Sequence, residues 1–320
     1  MRSAAVKLCV IAAFIAAPFV ETNHYWLHVF GVALIGVILA LGLQLLVGMS
    51  GLLSLGQAAF YGIGAYVSAV LTLQFGFPFL VAFVLAGLAA ALGSLLLVPI
   101  VRLQGSSLAV ATLGFNIIIY LVLLNEDWAT GGSFGLMNVP APNIFGFVLA
   151  SERSMYFLCL LVATLVYLAM ERLVRSRFGR ALKAISEDED AARASGIAIN
   201  LYKSKCFLVA AFTAGVAGSL YAHHARYLNP NDFTFNKSIE ILIMVVIGGL
   251  GSMPGAVIGA LIVVLMPEYL RSSGELRLIL FGALVPVAAL PMIIVLLVAI
   301  VTVHLPNGFS SIKLLSYDAA

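Results

Sequence analysis

The chain has 320 residues, 62% of them apolar, and only 31 carry formal charge, 17 basic and 14 acidic. Soluble domains carry about one charged residue in four, so this composition excludes a water-soluble fold. A net charge of +3, with many of the basic residues gathered in one loop, leaves no patch for nucleic acid.

The 80 residues 22–101 contain no Asp, Glu, Lys or Arg, and neither do the 27 residues 241–267 or the 35 residues 278–312. About 20 apolar residues cross a bilayer as a helix, so the chain reads as a polytopic membrane protein. In chain order, hydropathy predicts spans over residues 8–20, 27–47, 52–73, 79–101, 107–124, 154–170, 206–225, 239–266 and 276–303. Helices alone fit, because backbone groups in lipid must be satisfied internally and these runs are too long and uniformly apolar for barrel strands. The expected fold is an all-α, polytopic transmembrane helical bundle of about 8–10 spans with interrupted or re-entrant half-helices. It forms a single domain over 1–320. The first run follows Arg2 and Lys7 and precedes Ala16-Ala17, as a signal peptide would, but Pro18 sits where cleavage would fall. A retained first span is the expectation.

Residues 171–205 hold 13 of the 31 charges, eight of them basic, which makes this loop cytoplasmic by the positive-inside rule. Counting back through alternating spans places Arg2, Lys7, the N-terminus and Arg102 inside, and Glu21, Glu126 and Asp127 outside, with Trp26 and Trp128 at the outer interface. Residues 125–151, with Gly131-Gly132, Pro140 and Pro142, form the one long external loop. The run 239–266 is about 42 Å long as a helix and contains Gly248, Gly249, Gly251, Pro254 and Gly255, so it predicts two half-helices or a re-entrant pair. Pro286 and Pro291 kink or split the last run, and the C-terminus is expected in the cytoplasm.

Within the charged loop, Ser186-Glu187-Asp188-Glu189 reads as a capping box, with four acids in the first turn, alanines at 191, 192 and 194, and Gly196 as the stop. A helix over 187–195 is expected between two basic arms. A loop that only enforces topology needs nothing beyond Lys and Arg, whereas a capped helix with an alanine face is a shape that enters a groove on a partner.

ALKAISEDEDAARASG (181–196) resembles the cytoplasmic coupling loop of ABC-importer permeases, in particular the branched-chain amino acid permease family in its LivM-type subunit. GMSGLLSLGQAAFYGIGAY (48–66), AGVAGSLYA (214–222) and SIEILIMVVIGGLGS (238–252) are similar to the membrane signatures of that family, and the likeness runs from about residue 34 to 281. The resemblance implies a permease subunit in a bacterial inner membrane. It would work with a second homologous permease, two cytoplasmic ATPase subunits and an external solute-binding protein. Glu187, Ala191, Ala192 and Gly196 match the coupling loop. The chain departs from the family near its end, where Pro286, Pro291 and a longer apolar run precede Pro306-Asn-Gly308. The implied solute is a branched-chain or related amino acid, with urea or a short amide as the alternative within the family. A secondary transporter or channel working without ATP is the alternative outside it.

Other motifs point away from chemistry in the chain itself. There is no GK dipeptide, hence no Walker A loop, and the glycines 249, 251 and 255 miss the dinucleotide fingerprint. No catalytic residue and no cofactor is expected. Cys9, Cys159 and Cys206 and the five histidines form no metal-ligand spacing, so no metal site is expected either. Gly251, Gly255 and Gly259, four apart, form a small-residue face for helix packing, and the breaks at 48–56 and 248–255 read as corresponding interrupted helices beside a solute path. Ser54, Gln57 and Tyr61 share one helix face and line the path or pack between helices. Glu240 is either a functional intramembrane acid or an interfacial ion beside Lys237. The scarcity of charge within the spans places solute specificity in the external protein.

Overall fold

The computed structural model describes residues 23–103, 105–144 and 146–269. The predicted spans 8–20 and 276–303, with Arg2, Lys7, Cys9, Glu21, Pro286, Pro291, His304, the 306–308 segment and both termini, lie outside the described residues.

Helix α1 (His24–Leu43) starts at Asn23, whose side chain accepts a hydrogen bond from the Tyr25 amide at 3.0 Å. It runs on as a π-helical turn, Gln44–Met49, and the chain is then extended until α2 (Gln57–Leu73). Helix α3 (Phe79–Ser94) leads through two short 3₁₀ turns into α4 (Ser106–Asn125). The segment 126–151 holds a one-turn helix α5 (Asp127–Thr130), strand β1 (Leu136–Met137) and a small hairpin of β2 (Asn143–Ile144) and β3 (Phe147–Val148). Ser151 caps α6 (Glu152–Arg175), Ser176 caps α7 (Arg177–Glu187) and Asp188 caps α8 (Glu189–Ala194). Helix α9 (Ile199–Ala225) ends at Arg226 in the left-handed conformation, and β4 (Tyr227–Leu228) follows. Helices α10 (Phe235–Gly248) and α11 (Met253–Tyr269) complete the described chain. The expected all-helical membrane bundle is therefore present, and the run 239–266 is split at its glycines as predicted.

Among the described residues, five helical stretches, His24–Met49, Phe79–Leu97, Ser106–Asn125, Glu152–Arg175 and Ile199–Ala225, are long and apolar enough to cross a membrane, and Gln57–Leu73 and Met253–Tyr269 are shorter apolar helices. Helices α1 and α9 are buried along most of their length, which is why α1 is apolar on every side. Helices α3, α4 and α6 instead turn apolar stripes outward. On α3 the exposed Leu80, Val84, Leu88 and Leu92 recur every fourth residue, a face that suits hydrocarbon or another membrane helix.

Small residues bring α9 against its neighbours. A side chain at Gly64 would run into the backbone of Gly215, and one at Gly218 into the Tyr61 carbonyl. One at Gly215 would come 2.6 Å from both the Ala86 carbonyl and the Ala90 methyl. The helices α2, α3 and α9 thus touch backbone to backbone, where dispersion contacts and interhelical hydrogen bonds hold membrane helices together. One such bond joins Ser68 and Ser219 at 2.7 Å. We predict that Gly215→Val destabilises the purified chain by about 1–3 kcal/mol or more through overpacking. Gly114→Ala on α4, where an added methyl meets nothing within 4 Å, should be neutral or stabilising by up to ~1 kcal/mol. Thermal unfolding of the chain in detergent measures both.

Candidate functional site

The two helix interruptions meet. A side chain at Gly48 would lie 2.7 Å from the Gly251 amide nitrogen, and Gln44 Nε2 donates to the Gly249 carbonyl at 3.1 Å. Helices α10 and α11 form an antiparallel hairpin around the second break. Side chains at Gly248 and Gly255 would collide with each other's backbone, and one at Gly259 with the Met244 carbonyl. Of the three glycines expected to form a packing face, Gly255 and Gly259 do so. Gly251 lies in the turn instead, with φ 82°, and faces Gly48. Both legs of the hairpin reach the far end of the bundle, where Tyr269 packs on Trp26 with ring centroids 4.5 Å apart.

Between this hairpin and α1, α2 and α9 lies a cavity of about 480 Å³. One wall is apolar, with Val32, Ile35, Leu39, Met244 and Val264, and the other carries Tyr61, Tyr221, Asn231, Asp232, Asn236, Lys237 and Glu240. Lys237 Nζ donates to both carboxylate oxygens of Glu240 at 3.0 Å, and the Tyr221 hydroxyl donates to Asp232 at 3.1 Å. Glu240 is thus paired with Lys237 and lines the cavity. The loops at this end are laced together. Strand β1 pairs with β4 in the register Leu136↔Leu228 and Met137↔Tyr227, and Tyr120 bonds Asn231.

The expected Ser54–Gln57–Tyr61 stripe is not one helix face. Ser54 lies in the extended segment before α2, buried, with its hydroxyl 3.4 Å from the Gly56 amide. Gln57 is buried with Nε2 donating to the Ala210 carbonyl of α9 at 3.4 Å. Only Tyr61 reaches the cavity. The buried carbonyl oxygens of Gln44 and Gln57 have no hydrogen-bond partner among the described residues. Such orphaned acceptors beside a helix break mark a polar patch that water or a solute would satisfy.

The charged loop also differs from its sequence reading. Ser186 does not cap a helix. It sits near the end of α7 and donates to the Lys183 carbonyl at 2.8 Å, and the predicted 187–195 helix is shortened at both ends to Glu189–Ala194. Asp188 is the cap, accepting from the Asp190 and Ala191 amides at 2.8 and 3.0 Å. Glu187 is exposed and pairs with Lys183, and Ala191 and Gly196 are exposed. Ala192 is buried, forming a small core with Ile185 and Ile199. Sequence reading missed the bond that holds this unit. Lys203 Nζ, on α9, lies 2.5 Å from Glu189 Oε1, with the lysine side chain 2% exposed. A lysine within an apolar helix was the available signal. On the bundle side, the loop touches the first break, where a side chain at Gly51 would meet Ser186 at 3.6 Å. Ser50 on that break contacts Cys206 of α9.

The chain matches the family described as "Branched-chain amino acid transport system / permease component" over residues 25–302. It is 36% identical over 303 residues to the high-affinity branched-chain amino acid transport system permease protein LivM of Escherichia coli (strain K12), covering 87% of this chain and 71% of that one. The probable branched-chain amino acid transport permease protein LivM of Methanocaldococcus jannaschii is 29% identical over 177 residues, 54% of this chain and 50% of the relative. The high-affinity permease protein LivH of the same kind of system in Salmonella typhimurium is 33% identical over 141 residues, 44% of this chain and 42% of the relative. No solved structure matches it.

The Lys203–Glu189 pair makes a prediction. Glu189→Ala strands a buried ammonium and should destabilise the loop by about 3 kcal/mol, the lower end for a buried pair because Glu189 keeps a wet face. Adding Lys203→Met should recover most of that loss. Protease sensitivity of the 177–196 segment and thermal unfolding measure the cycle.

Proposed function

The chain belongs to the branched-chain amino acid transport system permease family, and from that premise we propose that it is one membrane subunit of an ATP-driven importer for branched-chain or related amino acids. In this reading the loop end faces the cytoplasm of a bacterial cell and the far end faces outward. The likeness to both LivM and LivH proteins supports pairing with a second homologous permease. Two cytoplasmic ATPase subunits grip the unit formed by α7 and α8, with Glu187, Ala191 and Gly196 on its exposed surface and Ala192 in its core. A solute-binding protein docks on the outer loops, where Trp128, Phe134 and Phe147 stand exposed.

One observation carries the mechanism: Ser186 of the loop lies against Gly51 of the first helix break, and that break lies against the second. When the ATPases close, the loop moves as a body, because its core and the Lys203 pair tie it to α9. The push reaches the 48–51 turn directly. From there it passes to the tip of the α10–α11 hairpin through Gly48, Gly251 and the Gln44–Gly249 bond. The hairpin forms one wall of the cavity, so shifting its tip would open or close the cavity floor. The solute enters from the outer side, its side chain against Val32, Ile35 and Leu39 and its polar end toward the Lys237–Glu240 wall.

The test is reconstitution of the chain in liposomes with its partner permease, the two ATPases and the binding protein. ATP-dependent leucine uptake is expected, and leucine accumulation by this chain alone would overturn the reading. Ala191→Arg on the exposed face should cut uptake by about tenfold or more while leaving the chain folded, a loss in the usual range of coupling energies. Gly48→Val should block uptake without releasing the ATPases, because its side chain would wedge between the two breaks. Co-purification, ATPase rate and uptake together separate the two outcomes.

A further inference from the structure

We propose that His28, Glu152 and His224 form a binding site for a divalent transition-metal ion of the zinc class, at the far end of the bundle beside the cavity mouth. The three residues come from α1, α6 and α9, and one ligand atom of each lies within 4.8 Å of the others. His28 Nδ1 is 3.3 Å from Glu152 Oε2, and the two imidazoles stack with centroids 4.2 Å apart and planes 13° from parallel.

The hydrogen bonding of His224 is that of a ligand. Its Nε2 lies 3.0 Å from the backbone carbonyl of His28. A carbonyl only accepts, so Nε2 carries the proton and Nδ1 presents a bare lone pair. That nitrogen is buried and has no partner among the described residues. A ring nitrogen fixed on a backbone carbonyl, with its opposite nitrogen left open, is how proteins orient a metal-binding imidazole. Without an occupant, the buried lone pair is an uncompensated cost. The chain also makes room for this ring, since any side chain at Gly31 would lie 2.6 Å from His224 Cε1.

Two imidazoles and one carboxylate suit zinc and its neighbours, whereas calcium and magnesium take oxygen sets. Donors about 2.0–2.1 Å from a tetrahedral ion stand roughly 3.3 Å from one another. An ion lies in the plane of each imidazole that holds it, so the His28 ring has to turn out of its stack on His224 to bind; with His28 and Glu152 41% and 32% exposed, that turn is toward the open side. Water from the open side would fill the fourth position. An ion there would clamp α1, α6 and α9 at one level and hold the His28 wall of the cavity in place.

The test uses the full-length chain, purified without a histidine tag, in detergent. Equilibrium dialysis against Zn²⁺ with metal analysis should give one saturable ion per chain, and Co²⁺ should give the visible spectrum of a tetrahedral, nitrogen-ligated ion. His28→Asn and Glu152→Gln should each weaken binding by about 100-fold, and the double variant should lose it, while His24→Asn should bind as wild type. Equal binding by wild type and a folded double variant would overturn the proposal, as would an octahedral Co²⁺ spectrum or no saturable ion in the wild type. Should the double variant not fold, the wild-type Co²⁺ spectrum decides by itself.

Discussion

The arrangement depends on one contact, the meeting of two broken helices at Gly48 and Gly251. Within a bilayer an interrupted helix exposes amides and carbonyls that lipid cannot satisfy. Here turns satisfy part of that need, the Leu52 amide donating to the Leu46 carbonyl, Gly249 to Val246 and Ser252 to Gly249, and the Gln44 amide reaches across from one interruption to the Gly249 carbonyl of the other. The approach requires glycine, since a methyl at Gly48 already falls 2.7 Å from a backbone nitrogen. Positive φ at Gly249 and Gly251 then turns the chain within four residues, so that α11 can retrace α10. Other small residues, at 248, 255 and 259, extend the same close packing along the hairpin.

The loop is built as a rigid body of the bundle and not as a tether. Its two short helices share a core of Ile185, Ala192 and Ile199, and its acidic turn is pinned to α9 by Lys203. A buried ammonium with a single carboxylate partner is an uneconomical way to gain stability, because desolvation offsets most of the attraction. It is, however, an effective way to fix geometry, since any slip of α8 along α9 leaves the charge unpaired. The coupling role proposed for the loop would need that property more than it needs net stability.

Much of this was legible in the sequence, and the failures have physical causes. Long uncharged runs and glycine-rich interruptions are local signals, so the helices among the described residues and both breaks could be placed from the residues alone. The capping box failed because Ser186 had a competing acceptor, the Lys183 carbonyl of the helix it ends, and Asp188 was free to cap instead. The polar stripe failed because helical periodicity was extended through Ser54, where the chain is not helical. Ala192 looked like part of a docking face since sequence shows only that an alanine face exists, not which side is turned inward. The cavity wall and the His28, Glu152 and His224 cluster were out of reach for a different reason. His28 and His224 alone lie 196 residues apart, the cavity lining runs from His28 to Val264, and only the packing of α1 against α6, α9 and the α10–α11 hairpin brings these groups together.

The path proposed through the cavity reconciles a zwitterionic solute with spans nearly devoid of charge. Its ionised groups sit at one end, on the 230–240 segment, and are largely engaged among themselves. Lys237 holds both oxygens of Glu240, and Asp232 accepts the Tyr221 hydroxyl. Such a wall offers an amino acid exchangeable hydrogen bonds, one neutralised ion pair and one carboxylate, Asp232, held by a hydroxyl and by no cation among the described residues. Deeper in, toward Leu39 and Met244, the lining is apolar. There, side-chain transfer is favourable at about 25 cal/mol per Å² of buried apolar area, whereas a charged head group is not. The next polar groups are the orphaned amide oxygens of Gln44 and Gln57 at the breaks. On the proposed path, a solute with an apolar side chain and a charged head rests in the upper cavity until the hairpin tip shifts. In the mechanism proposed above, the force for that shift comes from the ATPases by way of the loop.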